Sequence, residues 1–552
     1  MEKNILVAAA WPYVNGSLHL GHVAGLLPAD ILARYHRSKG DKVLYVSGSD
    51  CHGTPILVTA EKEGKNPADI ASRYHDEFVE MLIKKLGFSY SLYTKTMGDF
   101  HKAEAQKIFS TIYEAGYMTP HEEQQAFCSQ CQRSLPDRYI EGRCPNCGAE
   151  NARGDQCDSC GHVHDPSSLI NPRCRNCGTN PIWQSSTHLY FNLPVFEEKL
   201  KNWVKQQKGW RNNAFTMTEG WFQRGLQERP ITRDLIWGIP VTVPGYTDKC
   251  IYVWFEAVMG YLTCSKEWAA QQGTPDAWRE WWENDDAFHY YVHGKDNIPF
   301  HTILWPAMLM ALRLHLPDQI VSSEYLRLEG LKLSKSKGIA VWLPHALEKF
   351  ESDAIRFYLT LNGPESGDIS FNWRDFQHRV NGDLVGNLGN FWNRTFSMAN
   401  RYFGKVPESS DFDEVSAKLL EDANIIFTAV GDHIERAEFR QALRLVLEFS
   451  QRGNGYINER EPWKQIKDNE KHAQQTIYVC CQIAETLRRL SAPFIPHACE
   501  KISRFLKTDD LAWRFTLLPA NYAIEKPTAA IAKIDAAIID EELSNLEEAK
   551  KQ

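Results

Sequence analysis

The chain has no apolar run long enough to span a bilayer, and its first residues, Met1-Glu2-Lys3-Asn4, lead into a strand-like run rather than a secretory leader. A cytoplasmic protein with no membrane partner is therefore expected. Internal repeats and extended low-complexity linkers are also missing, which argues against a solenoid or a disordered scaffold. Positive charge is in short supply: 62 Lys and Arg face 70 Asp and Glu, for a net charge of −8. That balance argues against a protein that coats nucleic acid without preference, while a local basic stripe can still serve a nucleic-acid ligand. What is present is ordinary for a soluble globular chain with ample core, with 43% hydrophobic and 24% charged residues. Its 552 residues suffice for three or four domains at roughly 150 residues each. Tryptophan is abundant at 17, and Trp278, Trp281 and Trp282 are expected to pack together around one helix.

Cysteine is plentiful and unevenly spread. Eight of the 14 form Cys-x-x-Cys pairs: Cys128/Cys131, Cys144/Cys147, Cys157/Cys160 and Cys174/Cys177. Each pair sits among Gly, Asn and Pro, in tight turns that let two thiolates face one tetrahedral ion, so two pairs complete a Cys₄ site. Disulfides are the alternative, and nothing suggests an oxidising compartment. The spacing predicts two structural zinc ions. The inner pairs, 144/147 and 157/160, are nine residues apart, a knuckle length, and the outer pairs would close around them. His162 and His164 are then bystanders. Cys51, Cys250, Cys264, Cys480, Cys481 and Cys499 lack ligand spacing and read as packed or surface thiols.

Two short islands carry the chemistry. His19-Leu20-Gly21-His22 follows the apolar run Ile5–Ala10 and leads into a helical pattern that Pro28 is expected to break or kink. A strand, a turn and a helix N-terminus make an anion site; imidazoles there donate to phosphate oxygens, and Gly21 removes a Cβ from the approach. Lys332-Leu333-Ser334-Lys335-Ser336, flanked by Gly330 and Gly338, is a doubly charged loop suited to charge that grows in a transition state. Each island alone is a weak signal, but together and in this order they suggest one site gripping a triphosphate from two sides.

Residues 1–117 alternate strand-like and helical runs, as a doubly wound sheet does, and the pattern resumes over 233–325 after a cysteine-bearing insertion at 118–232. A connecting region with the Lys332–Ser336 loop follows at 326–385. Residues 386–552 turn helical, with stripes at Ala442, Leu445, Val446 and Phe449 and at Ile483, Ala484, Leu487 and Leu490. From Pro527 onward a loosely attached terminal helix is expected. The predicted fold class is α/β: a split Rossmann-like parallel sheet with a zinc-binding insertion, followed by an α-helical bundle.

The two islands resemble the HIGH and KMSKS signatures of class I aminoacyl-tRNA synthetases, with Leu333 in place of the usual Met. Pro12–Gly16, Gly48–Pro55 and His293–Asn297 resemble the methionyl branch, and the likeness fades only over roughly the last thirty residues. The resemblance implies ligation of methionine to its tRNAs through an adenylate, with ATP and Mg²⁺ as partners, in a chain expected to be a monomer. It implies that His19, His22, Lys332 and Lys335 are catalytic, and that ATP also meets Gly21, Lys295, Asp296 and Ser334. Methionine would lie among Trp11, Tyr13, Asp50, Arg233, Trp254, Ala257, Tyr261, Asn297 and His301, with Asp50 holding the α-amino group. Arg233 reads equally well as a surface residue. The likeness also supports the nested zinc pairing, and it implies anticodon contact by Asn390, Arg394, Pro462 and Trp463. Besides Leu333, Trp11 stands where Leu is common and Val258 where Pro is common in one branch; Asn297 replaces the Ile of that branch and agrees with the other, archaeal-like one. Trp11 bears directly on pocket volume. The competing class, a zinc-ribbon RNA-binding scaffold, leaves both islands unexplained.

Overall fold

A computed structural model describes residues 2–135, 139–154, 157, 159–160, 164–332 and 340–551. Strands β1 (Asn4–Ala9), β2 (Lys42–Ser49) and β3 (Leu92–Lys95) join Phe288–Gly294 and Gln319–Ser323 in one parallel sheet. The order across it is Gln319–Ser323, Phe288–Gly294, β1, β2, β3. Both faces are covered. Ile5, Val7 and Ala9 enter one apolar core while Leu6 and Ala8 enter another, the two-residue period of a strand buried on both sides. Strand order reverses between β1 and Phe288–Gly294, so a crevice opens beyond their carboxyl ends. Trp278, Trp281 and Trp282 all enter the second of these cores, and the Trp281 indole N–H donates to the Ile5 carbonyl at 3.1 Å.

The chain leaves this sheet at Met118. An antiparallel ribbon of Met118–Cys128 against Ile182–Phe191 carries the cysteine pairs, and helix Asn212–Gln223 leads back toward the sheet. Helices then dominate beyond Trp373. In Phe439–Arg460, Ala442, Val446 and Phe449 are buried and Leu445 is half-buried; Ile483, Ala484, Leu487 and Leu490 are fully buried in Glu470–Ser491. Among the described residues no helix is long and apolar enough to cross a membrane.

Neither the expected break at Pro28 nor a loosely attached terminal helix is found. Helix α1 runs unbroken from Leu20 to Lys39 with Pro28 inside it. Proline removes one backbone donor, but Leu26, Leu27, Ala29, Ile31 and Leu32 are buried on both sides of it, and this packing carries the helix through. The last helix, Ala536–Lys551, is not loosely attached. Ile539 is fully buried, and the nearly buried Glu542 accepts from His345 Nε2 at 2.8 Å and Lys349 Nζ at 2.7 Å. Its polar composition hides this docking, because the anchors are a few apolar positions and one carboxylate.

Candidate active site

The crevice at the strand-order reversal is a cavity of about 780 Å³, lined by the residues after β1 (Ala10, Trp11), by His19, Gly21 and His22 of the first island, and by His293 to Asn297 after Phe288–Gly294. His19 caps α1: its backbone N–H donates to His22 Nδ1 at 3.0 Å, and the two rings stack with centroids 3.8 Å apart. Because His22 Nδ1 accepts, Nε2 carries the ring proton and is the donor. Leu333 to Ile339 lie outside the described residues, including Ser334, Lys335 and Ser336; of Lys332 only the backbone is described, at the end of strand Leu331–Lys332. Trp342 bridges to His19, Leu20 N–H donates to the Val341 carbonyl at 3.0 Å, and Leu343 N–H donates to the Leu18 carbonyl at 2.8 Å. The far stem of the second island is thus hydrogen-bonded directly to the first.

The expected amino-acid residues gather deeper, around helix Val253–Gln271. Pro12–Val14 pairs beyond the sheet with Asp50, placing Tyr13 beside the Asp50 carboxylate. Asp50 is buried, and burial together with the nearby Glu256 charge pushes its carboxyl well above the usual range. Glu256 is buried too, but His52 and His101 outweigh that burial and hold it low; His52 Nδ1 sits 2.6 Å from its Oε1. Trp254, Ala257 and Tyr261 share one face of the helix. Trp254 stacks on Phe300 at 4.5 Å and meets the Tyr13 ring edge at 5.8 Å. His301, on a π-helical turn (Phe300–Leu304), points Nδ1 at the Asn297 carbonyl (2.8 Å) and Nε2 at the Tyr261 hydroxyl (2.8 Å). Nδ1 facing a carbonyl must hold the proton, so the Tyr261 hydroxyl donates to Nε2. Burial pushes His301 down to about 4, so the ring is neutral near pH 7.

Of the residues expected around methionine, Trp11 and Asn297 line the cavity, whereas Tyr13, Asp50, Trp254, Ala257, Tyr261 and His301 do not. Arg233 stands apart: its guanidinium lies 4.1 Å over the Tyr252 ring and donates to the Thr232 carbonyl at 2.9 Å. Trp11 fits because two glycines make room. A Cβ at Gly260 would lie 2.8 Å from the indole, and one at Gly48 would overlap it. Sequence reasoning missed Glu324, Tyr325, Arg327 and Asp368, which also line the cavity. Lys295 Nζ donates to Glu324 and Asp368, both at 2.8 Å, and lies over the Tyr325 ring. Asp368 also takes Arg327 at 2.9 Å, so two cations balance two carboxylates. Asp296 accepts from the Tyr325 hydroxyl. Position just past the carboxyl end of Gln319–Ser323 was the one available signal for Glu324 and Tyr325.

The cysteines form two groups, Cys128, Cys131, Cys174 and Cys177, and Cys144, Cys147, Cys157 and Cys160, with all sulfurs in each within 4.8 Å of one another. Cys131 and Cys174 are 3.8 Å apart, and Cys147 and Cys157 are 3.7 Å apart. A tetrahedron with Zn–S bonds of about 2.3 Å has edges of about 3.8 Å, so both donor sets fit a tetrahedral ion. The 14 cysteines are all free of disulfides, and the six outside the two groups are buried. His164 belongs to neither group and contacts the Arg153 carbonyl at 2.7 Å; His162 lies outside the described residues.

Comparison with known proteins decides the family. The model of the family described as tRNA synthetases class I (M) matches residues 5–396, and that of the anticodon binding domain of methionyl tRNA ligase matches residues 406–548. The methionine–tRNA ligase of Bacillus mycoides is 44% identical over 98% of this chain and 99% of its own length. That of Chloroflexus aggregans is 41% identical over 99% of both. The chain belongs to the methionyl class I tRNA synthetases. A solved methionyl-tRNA synthetase of Mycobacterium tuberculosis, in complex with methionyl-adenylate, shares the fold with a TM-score of 0.78 at 24% identity, covering 96% of this chain and all of that one.

In this synthetase Asn390 and Arg394 precede the matched anticodon segment, on helix Asn390–Phe403. Arg394 lies over the Trp463 ring at 5.2 Å, and Asn390 donates to Asn454 Oδ1 at 3.2 Å. Pro462 is buried at the first turn of Pro462–Asp468 and fixes where Trp463 emerges, half-buried against the bundle. Asn390, Arg394 and Trp463 thus sit together at the bundle surface, while Pro462 acts from below.

Proposed function

We infer that this protein is a methionine–tRNA ligase. A methionine carboxylate oxygen attacks the α-phosphorus of ATP, the bond to the bridging oxygen of the β-phosphate breaks, and pyrophosphate leaves. A ribose hydroxyl at the tRNA 3′ end then attacks the adenylate carbonyl and releases AMP. No enzyme nucleophile is needed; positioning and charge neutralisation suffice. The observation that supports the reading is the pairing of His19 and Leu20 with Val341 and Trp342, which ties the first island, at the cavity, to the chain just beyond the second.

In this reading His22 Nε2 and His19 donate to phosphate oxygens over Gly21. Lys332, Ser334 and Lys335 close on the departing pyrophosphate, and Lys295 and Asp296 hold the nucleotide. Asp50 takes the substrate ammonium. Tyr13, Trp254, Ala257, Tyr261 and His301, with Trp11 and Asn297, enclose the side chain, where sulfur–aromatic contacts add roughly 0.3–1.5 kcal/mol each. Such contacts reject leucine weakly, so fit and the fixed Tyr261–His301 pair carry the rest. Arg233 acts through the start of helix Val253–Gln271, where it packs on Tyr252.

Zinc would be held by the two cysteine groups, where it supplies folding energy to the insertion. Mg²⁺ enters as the counter-ion of ATP. Asn390, Arg394 and Trp463 read an unstacked anticodon base. The protein acts as a monomer in the cytoplasm. The test is amino-acid-dependent exchange of pyrophosphate into ATP: methionine should support it and leucine should not. A zinc-bearing RNA-binding scaffold would support neither.

A further inference from the structure

Helix Asn212–Gln223 belongs to the insertion, yet its first residues reach the floor of the nucleotide cavity. Asn213 Nδ2 donates to Glu324 Oε1 at 3.0 Å and to the Ser322 carbonyl at 3.3 Å, while its Oδ1 accepts from the Ser322 hydroxyl at 2.5 Å. Reversing the amide would set its oxygen against a carboxylate and a carbonyl, so the orientation is fixed by its neighbours. The other Glu324 oxygen accepts from Lys295 Nζ at 2.8 Å. Beside Asn213, Arg211 extends the same contact: Nη1 donates to the Ser322 carbonyl at 3.2 Å and Nη2 to the Ala437 carbonyl at 3.2 Å, in the turn before helix Phe439–Arg460.

We propose that Asn213 is a positioning residue for nucleotide binding: through Glu324 it sets where the Lys295 ammonium stands in the cavity. Asn213 is absent from the cavity lining and acts only through the carboxylate it orients. A carboxylate beside a polyanion repels it unless its charge is committed elsewhere. Held by Asn213 on one oxygen, Glu324 presents the other to Lys295 in a single geometry; released, it can turn and draw the ammonium away from the phosphates. This inference rests on the assignment of Lys295 to ATP.

The experiment measures methionine-dependent pyrophosphate exchange for the parent, Asn213→Ala, Lys295→Met and the double variant, with thermal unfolding of each. Asn213→Ala should raise KM for ATP about tenfold, the change that roughly 1.4 kcal/mol gives, with KM for methionine within about twofold of the parent. The double variant should be no worse for ATP than Lys295→Met alone, since both act through one group. If Asn213→Ala fails to fold, Asn213→Ser keeps a hydroxyl for Ser322, gives up the reach to Glu324, and carries the same expectation. A normal KM for ATP in the Asn213 variant beside a raised one in Lys295→Met overturns the inference and leaves the assignment of Lys295 standing. Equal rises for ATP and methionine, or additive losses in the double variant, mean a merely structural role and also overturn it. A normal KM for ATP in Lys295→Met removes the assignment itself.

Discussion

Trp11 shows how a single side chain is accommodated by partners far away in sequence. Its indole fills space that Gly48 and Gly260 leave. Gly260→Ala should therefore destabilise the protein by about 1–3 kcal/mol through overpacking, measured by denaturant unfolding, and Trp11→Leu in the same chain should recover most of that loss. Additive losses would mean that the glycine serves something other than the indole. Asp50 makes a second prediction. Burial and Glu256 raise its pKa in the empty site, and a bound ammonium lowers it, so between the two values methionine binding releases a proton. Affinity should accordingly rise with pH up to the raised pKa of the empty site. Calorimetry in buffers of different ionisation enthalpy should show that release, and Asp50→Asn should abolish it; binding that moves no proton contradicts the assignment. At this scale the placement of His19, His22 and Lys295 at the cavity is legible because each belongs to a short local motif. Glu324, Asp368 and the glycine cradle are not, because their meaning arises only when distant segments meet.

At the scale of elements, the cysteine knuckles are the most legible part of the chain, since the spacing within each pair and the turn residues around it are sufficient to define a metal-ligating turn. Replacing Cys144 with Ser should release one zinc ion of two, measured by elemental analysis, and loosen the insertion while the parallel sheet survives. Loss of both ions together would contradict two independent donor sets. The last helix was the least legible. Its pattern of charges reads as solvent-exposed, and only the burial of Ile539 and Glu542 shows that it braces the segment holding His345 and Lys349. The proline in α1 misleads for a related reason: local chemistry argues for a break, and packing on both sides of the proline overrides it.

For the whole molecule, the proposed reading predicts that chemistry at the split sheet and tRNA reading at the bundle can be separated. Trp463→Ala removes a stacking surface worth roughly 1–3 kcal/mol per base and the partner of Arg394. Pyrophosphate exchange should stay near the parent level while tRNA charging falls steeply. Loss of exchange in the folded variant would make Trp463 a structural plug, and unchanged charging would remove it from the anticodon site. The central claim, that the cavity lined by the first island makes methionyl-adenylate for transfer to tRNA, has a more direct test. Protein mixed with labelled methionine and ATP is passed through a desalting column, and the recovered complex is chased with methionine tRNA. The account predicts about one adenylate per chain, its label passing to the tRNA as AMP is released. A protein that emerges without label, or whose bound label never reaches the tRNA, would contradict it.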